Sequence, residues 1–211
     1  DRWPADPENP VYQYRIAELY SFVGDEEAVS QAMATLTERY DDDSDWWRLN
    51  RNNPDAQDIA QRYIEESLIS VADNQLNKAV DVYGTGDILA AQGEFAKAAD
   101  LYGRYLSKFP FAGDYYRNQW LMSISLNQSR QFREALIQFD QLIDSATDHN
   151  YKETAAFRKL LVYQELVKDL HGNEFSVLPE SSDLETKRMM PSGQELPTYK
   201  LQEDHINLID A

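Results

Sequence analysis

Not one of the 211 residues is cysteine, which excludes disulfides, thiolate metal ligation and a cysteine nucleophile. That absence assigns no compartment, although it suits an oxidising one. Glycine and proline are scarce, at 8 each, so the punctuation that cuts a chain into short strands and turns is thin, as long helices require. Positive charge is also short: 20 Lys and Arg face 37 Asp and Glu, a net charge of −17. Phosphate backbones are bound by Lys and Arg, so nucleic acid is disfavoured as a partner, and the acidic surface reads first as a solvated one. No apolar run approaches the roughly 20 residues needed to span a bilayer. The opening DRWPADPENP is polar rather than signal-like. Because Asp1 is not a natural start, the chain reads as processed or excised, with a leader or anchor missing.

The signatures of catalysis are absent as well. There is no HExxH, no GxSxG, no phosphate loop and no dinucleotide fingerprint. The adjacent pairs Glu26/Glu27 and Glu65/Glu66 fall on predicted helices, where neighbouring side chains diverge and make poor acid/base partners. The three histidines are expected in a loop (His149), at a helix end (His171) and in the tail (His205), with structural or surface roles. Neither enzyme activity nor a catalytic residue, cofactor or metal is therefore expected. The cluster Asp41, Asp42, Asp43 and Asp45 resembles the start of a calcium loop. The template fails at its sixth position, Trp46 where a sharp turn needs glycine, and at its twelfth, Asn52 where a bidentate Glu belongs. A solvated loop with Ser44 or Asp45 capping a short helix is the preferred reading.

What is present points to a folded helical protein. Hydrophobic residues make up 42% of the chain, with 13 Tyr, 8 Phe and 4 Trp, enough for one good-sized core. Tyr12, Ile16, Leu19, Tyr20 and Val23 define an apolar face on a helix from about Val11, ended by Gly24. Ala28, Ala32, Leu36 and Tyr40 continue a second helix behind Asp25, Glu26 and Glu27. Trp46 and Trp47 are adjacent, so one should point inward and the other lie near the surface. Pro54 opens the longest helix, which carries Ile59, Tyr63, Ser67 and Val71 on one face and runs to Tyr83. A break or distortion is expected near Gly84, because two interior glycines cost about 2 kcal/mol relative to alanine. Further helices are predicted from Gly93 to Phe109, from Asp114 to Asn127, from Gln131 to Ile143 and from Tyr151 to Leu170, ended by His171 and Gly172. From Asn173 the period is lost and three prolines fall between Pro179 and Pro197, which predicts coil. Leu201, Ile206, Leu208 and Ile209 would then start another helix or form an apolar strap.

Two segments repeat. Phe95, Ala98 and Tyr102 in EFAKAADLY align with Phe132, Ala135 and Phe139 in QFREALIQF, each at an offset of 37 residues. Self-similarity at such a period marks stacked supersecondary units. From about Gly86 to Asp144 the chain resembles the tetratricopeptide (TPR) family. Val82, Thr85, Gly86 and Leu89 fall at its first-helix positions, Gly93 at the turn, Phe95, Ala98 and Tyr102 on the second helix, and Pro110 at its end. The second copy has Met122, Ser123, Leu126, Phe132, Ala135 and Phe139, with Arg130 replacing the turn glycine. The resemblance implies an all-α, TPR-like α-solenoid of antiparallel helix pairs over residues 1–171. Its clearest units would be about 79–112 and 113–147, followed by an extended C-terminal tail or linker over 172–211.

The same resemblance implies a groove lined by first helices, at Tyr83, Asp87 and Ala90 in one unit and at Arg117, Trp120, Ile124, Asn127 and Gln128 in the next. Tyr83 and Asp87 replace two members of the family's clamp for a C-terminal carboxylate, which disfavours that ligand. Trp120 with Tyr116 and Arg117 has the composition of an aromatic anchor beside a cation, or Trp120 is buried between helices. The expected function is a non-enzymatic scaffold or adaptor for a protein or peptide partner. In texture the chain resembles TPR proteins of bacterial cell envelopes, which implies a periplasmic or envelope-associated place in a multi-subunit assembly, with a cytoplasmic one as the alternative. The competing readings are a regulatory or recruiting domain of a larger enzyme and a filament or coat subunit.

Overall fold

Several helix boundaries in this protein follow local capping chemistry, and that chemistry sets where those turns fall. The computed structural model describes residues 3–145, 149–171, 184–189 and 195–199. Among these are eight helices and one two-stranded antiparallel hairpin. They divide into two units, Asp1–Ser129 and Arg130–Ala211.

The first unit holds six helices. Helix α1 (Asn9–Val23) stops at Gly24, whose φ of 75° is the left-handed conformation glycine adopts without strain. Helix α2 (Glu26–Tyr40) starts where Asp25 accepts a hydrogen bond from the Ala28 N–H at 3.0 Å. Helix α3 (Asp45–Leu49) is one short turn capped by Ser44, which accepts from the Trp47 N–H at 3.1 Å. Helix α4 (Pro54–Gly84) is the longest; Pro54 takes its first turn, where no N–H is missed, and Asn53 caps it. Helices α5 (Ile88–Lys108) and α6 (Tyr115–Gln128) complete the unit.

Helix α4 is the spine: α1, α2 and α5 all pack on it, and α6 packs on α5. The main core joins Leu36, Tyr40 and Trp46 to Ala60 and Ile64 of α4 and to Tyr105, Leu106 and Phe109. Trp46 is buried, set edge-on to Tyr40 with ring centroids 5.5 Å apart, and its Nε1–H donates to the Asp6 carbonyl at 2.8 Å. Trp47 is only half-buried, as expected of its neighbour on so short a helix. A polar tie joins α4 to α5. The Gln75 amide donates to the Glu94 carboxylate at 2.6 Å, while Lys97 and Lys78 approach it at 2.8 and 3.1 Å. Hydrogen bonds from Lys97 and then Gln75 hold the Glu94 carboxyl down to about 2, against a smaller upward push from burial.

The second unit contains α7 (Phe132–Ser145), α8 (His149–His171) and the hairpin β1 (Leu184–Met189) and β2 (Glu195–Tyr199). Phe132, Ala135, Phe139 and Leu142 of α7 are buried with Ala155, Val162 and Val167 of α8. Lys159 of α8 pairs with Asp140 of α7 at 2.9 Å. Arg130, which stands where the repeat pattern has a turn glycine, has a φ of 63°. Its guanidinium lies 5.2 Å from the Phe132 ring centroid and pairs with Asp169, contacts that offset the cost of that backbone.

Four expectations are corrected. The turn predicted at Gly93 is instead at Thr85–Asp87, and Gly93 lies inside α5. Asp87 caps α5 by accepting from the Ala90 N–H at 3.1 Å, and Gly86, at φ 87°, supplies the reversal. Val82, Thr85, Gly86 and Leu89 therefore do not share a helix, and the expected break near Gly84 is where α4 ends. Second, the apolar face of α1 is turned to solvent: Tyr12, Ile16, Leu19, Tyr20 and Val23 are all exposed, and α1 packs through Ala17 instead. A small residue lets the helix sit close to its neighbours, while Gln13 ties it to α2 by donating to the Ala32 carbonyl at 3.0 Å. Third, the predicted coil contains β1 and β2, which pair Lys187 with Pro197 and Met189 with Glu195; backbone pairing between segments leaves little trace in periodicity. Fourth, His149 begins α8 rather than lying in a loop. Gly172, His205 and the segment with Leu201, Ile206, Leu208 and Ile209 lie outside the described residues.

Candidate functional site

Three helices of the first unit converge on a network that the sequence did not reveal. Tyr102 of α5 is fully buried, and its hydroxyl donates to Asp73 of α4 at 2.5 Å. Asp73 also faces Arg117 of α6, whose Nη2 approaches its Oδ2 at 3.3 Å, and the Arg117 Nη1–H donates to the Asn118 side-chain oxygen at 2.9 Å. One turn away on α5, the buried Tyr105 hydroxyl lies 2.7 Å from Asp114 and 3.2 Å from Glu65. A phenol has one proton to give, so the shorter contact, to Asp114, takes the donation. Asn118 is fully buried with its Nδ2 lacking a hydrogen-bond partner.

These contacts have a common logic. Burial pushes both phenols far above the usual tyrosine range, and the adjacent carboxylates, Asp73 for Tyr102 and Asp114 for Tyr105, push them further. Each tyrosine therefore stays a neutral donor and works as a strut between helices. As acids or nucleophiles near neutral pH they offer nothing.

The network lies beside the residues expected to line a groove. On α6, Tyr116, Arg117, Trp120, Ile124, Asn127 and Gln128 recur at steps of one, three and four and share one broad face. Tyr116, Trp120 and Ile124 are half-buried, Arg117 and Gln128 are exposed, and Asn127 is buried with its Oδ1 unpartnered. Tyr115 and Tyr116 meet edge to face, with ring centroids 5.8 Å apart. The Arg117 to Asp73 pair brings this face alongside α4. Tyr83 lies on the Asp73 side of α4 by helical register, about 15 Å further along the axis. It is exposed, with its ring 6.5 Å from that of Phe95. Asp87 and Ala90 do not join them: the Asp87 carboxylate is engaged as the α5 cap and Ala90 is in that helix's first turn.

The aspartate cluster has a different arrangement. Carboxylate oxygens of Asp41, Asp42 and Asp43 lie within 4.8 Å of one another. The Lys108 ammonium pairs with Asp41 and lies 3.8 Å from Asp42. Burial pushes the Asp41 carboxyl up, but hydrogen bonds from Lys108 and the Asp42 N–H outweigh it and hold the group below its ordinary value. A side-chain cation thus already pairs with part of this cluster.

Asp73, Tyr102, Glu65, Tyr105 and Asp114 were missed by sequence reasoning. The partners are 29 and 40 residues apart, and only the packing of α5 on α4 sets their register. A weak signal existed in Glu65 and Asp73, eight residues apart and so on one helical face, opposite two tyrosines three residues apart. Comparison with protein-family models, curated proteins and solved structures returned no match for this chain.

Proposed function

We propose that the protein is a non-enzymatic interaction scaffold built on a TPR-like α-solenoid, and that it holds a protein or peptide partner on the α4 and α6 face. The observation that carries this reading is the Arg117 bridge to Asp73, which sets the aromatic and polar face of α6 beside α4. Tyr116 and Trp120 supply rigid apolar area, and Arg117 supplies donors, a composition enriched in binding hot spots. Buried tyrosine struts keep that face fixed before binding, which lowers the ordering cost of association. Helix pairs with buried Phe, Ala and large aromatic positions repeated 37 residues apart support the solenoid part of the reading. A place in a bacterial cell-envelope assembly rests on the sequence resemblance.

The test is a pull-down from the native source with wild type, Trp120→Ala and Arg117→Glu. Loss of the same partner from both variants, with helical content unchanged, is the expected result. Equal recovery by all three would remove this face from the proposal.

A further inference from the structure

The side of α4 turned away from Asp73 carries a second feature. Three clefts of about 640, 280 and 360 Å³ lie along it, the first two sharing Ser30 and Val71 and the last two sharing Lys108. Together they line one trough along α4 from Gln61 to Asp81, bounded by α2 and the end of α1 at the first cleft and by α2 and α5 at the second. Twenty helical residues span about 30 Å, the reach of about nine residues of extended chain. Ser67, Val71, Asn74 and Lys78 follow one another at steps of four, three and four, on the face of α4 opposite Glu65 and Asp73.

The chemistry of the trough varies along its length. Its middle is apolar, made by Met33, Leu68, Val71 and Leu101, and the buried Ser67 there has a hydroxyl with no hydrogen-bond partner. A buried polar atom left unpaired costs free energy that a ligand atom can recover. The cations of the trough are already engaged: Lys78 with Glu94 at 3.1 Å, Arg104 with Asp100 at 2.8 Å, and Lys108 with Asp41 and Asp42. Glu26 and Asp81 toward one end and Glu38 toward the other carry exposed carboxylates with no ion pair among the described residues. The trough therefore presents uncompensated negative charge on both sides of an apolar centre. A second copy of this acidic chain is disfavoured there by like charge.

We infer that this trough binds an extended segment of a partner protein with a tyrosine or tryptophan at its centre and lysine or arginine at both ends. The aromatic ring enters between Met33 and Leu101 and parts them to open the enclosed Ser67 Oγ, to which its O–H or N–H donates, and the flanking cations pair with Glu26, Asp81 and Glu38. This surface is separate from the α4 and α6 face and does not depend on it.

The test measures fluorescence anisotropy of a labelled ten-residue peptide, two lysines at each end and leucine-tyrosine in the middle, titrated with the full chain. Expected results are saturable binding that weakens as salt is raised, at least tenfold weaker binding of a peptide with glutamates at its ends, and weaker binding of the phenylalanine-centred peptide. Ala34→Trp, which fills the trough from an exposed position of α2, should lower affinity at least tenfold. Glu38→Lys paired with Asp81→Lys should lower both affinity and salt dependence, and Ser67→Ala should erase the tyrosine preference. Circular dichroism and melting identify folded variants, and the two lysine substitutions, both at exposed sites, keep the test open if Ala34→Trp does not fold. Three results overturn the proposal: no binding to wild type, equal binding of the glutamate-ended peptide, or binding unchanged in the folded variants. A concentration-dependent dimer seen by sedimentation and removed by Ala34→Trp would also overturn it, by showing a second copy in the trough. Because Trp120 and Arg117 are untouched, these outcomes are independent of the pull-down.

Discussion

Tyr102 shows what a single residue contributes here. Its ring fills the space between α4 and α5, and its hydroxyl fixes Asp73, which in turn holds Arg117. Tyr102→Phe keeps the ring and removes the donor, so Asp73 loses its shortest hydrogen bond. The expected cost is about 1–2 kcal/mol in urea unfolding, modest because Asp73 is partly exposed and water replaces some of the lost contact. A change below a few tenths would show that the strut is dispensable. Glu94 gives a pH signature. Its carboxyl is depressed to about 2 when folded, against 4.5 ordinarily, so its contribution is complete above about pH 4.5 and is lost as the pH falls toward 2. Screened by solvent, that contribution is on the order of 1–2 kcal/mol. Unfolding of Glu94→Gln measured from pH 7 to 2.5 should therefore show a shallower loss of stability than wild type, and parallel curves would sink the assignment.

At the scale of the element, two glycines seven residues apart have opposite roles. Gly86 sits at φ 87°, where a Cβ is strained whatever the space around it. Gly86→Ala should destabilise by about 1 kcal/mol or more. Gly93 lies inside α5 at a helical position, with nothing within 4 Å of an added Cβ. Gly93→Ala should stabilise by about 0.5–1 kcal/mol, through helix propensity and a less flexible unfolded chain. Denaturant midpoints of the two variants check the position of the turn, which a break at Gly93 would reverse. Sequence pattern found the helices themselves well: the Ser44 cap, the starts behind Asp25 and at Pro54 and the break near Gly84 are all local features, whereas Asp87, expected on a groove face, is the cap of α5. The turn falls seven residues before the glycine that the repeat pattern implies because Gly86 takes the left-handed backbone and Asp87 caps α5. Sequence pattern misses the exposure of α1 because an apolar stripe shows only that a face is apolar, not whether a neighbour reaches it.

For the whole molecule, the −17 charge is the dominant global feature. Mutual repulsion of carboxylates opposes the compact state, and salt screens it over about 10 Å at 0.1 M. Raising sodium chloride from 0.02 to 0.5 M, as an order-of-magnitude change in screening, should raise the melting temperature by several degrees. A fall would mean that ion pairs such as Lys78 to Glu94 outweigh the net repulsion. Calcium at matched ionic strength should add nothing further, since the Lys108 ammonium already pairs with Asp41 and would have to be displaced. A specific calcium-induced shift would contradict that arrangement.

The amino-acid order by itself determined that the chain is largely helical, where most helices start and stop, and that thiol chemistry is excluded. These properties depend on residues within about one turn of each other or on composition alone, so no fold is needed to read them. Only the tertiary structure decided that Asp73, Tyr102 and Arg117 meet, that Lys108 reaches Asp41, that the α1 stripe is left uncovered and that a trough opens along α4. Each of these depends on how far one helix slides and turns against another, and that register is set by the summed fit of many side chains far apart in sequence.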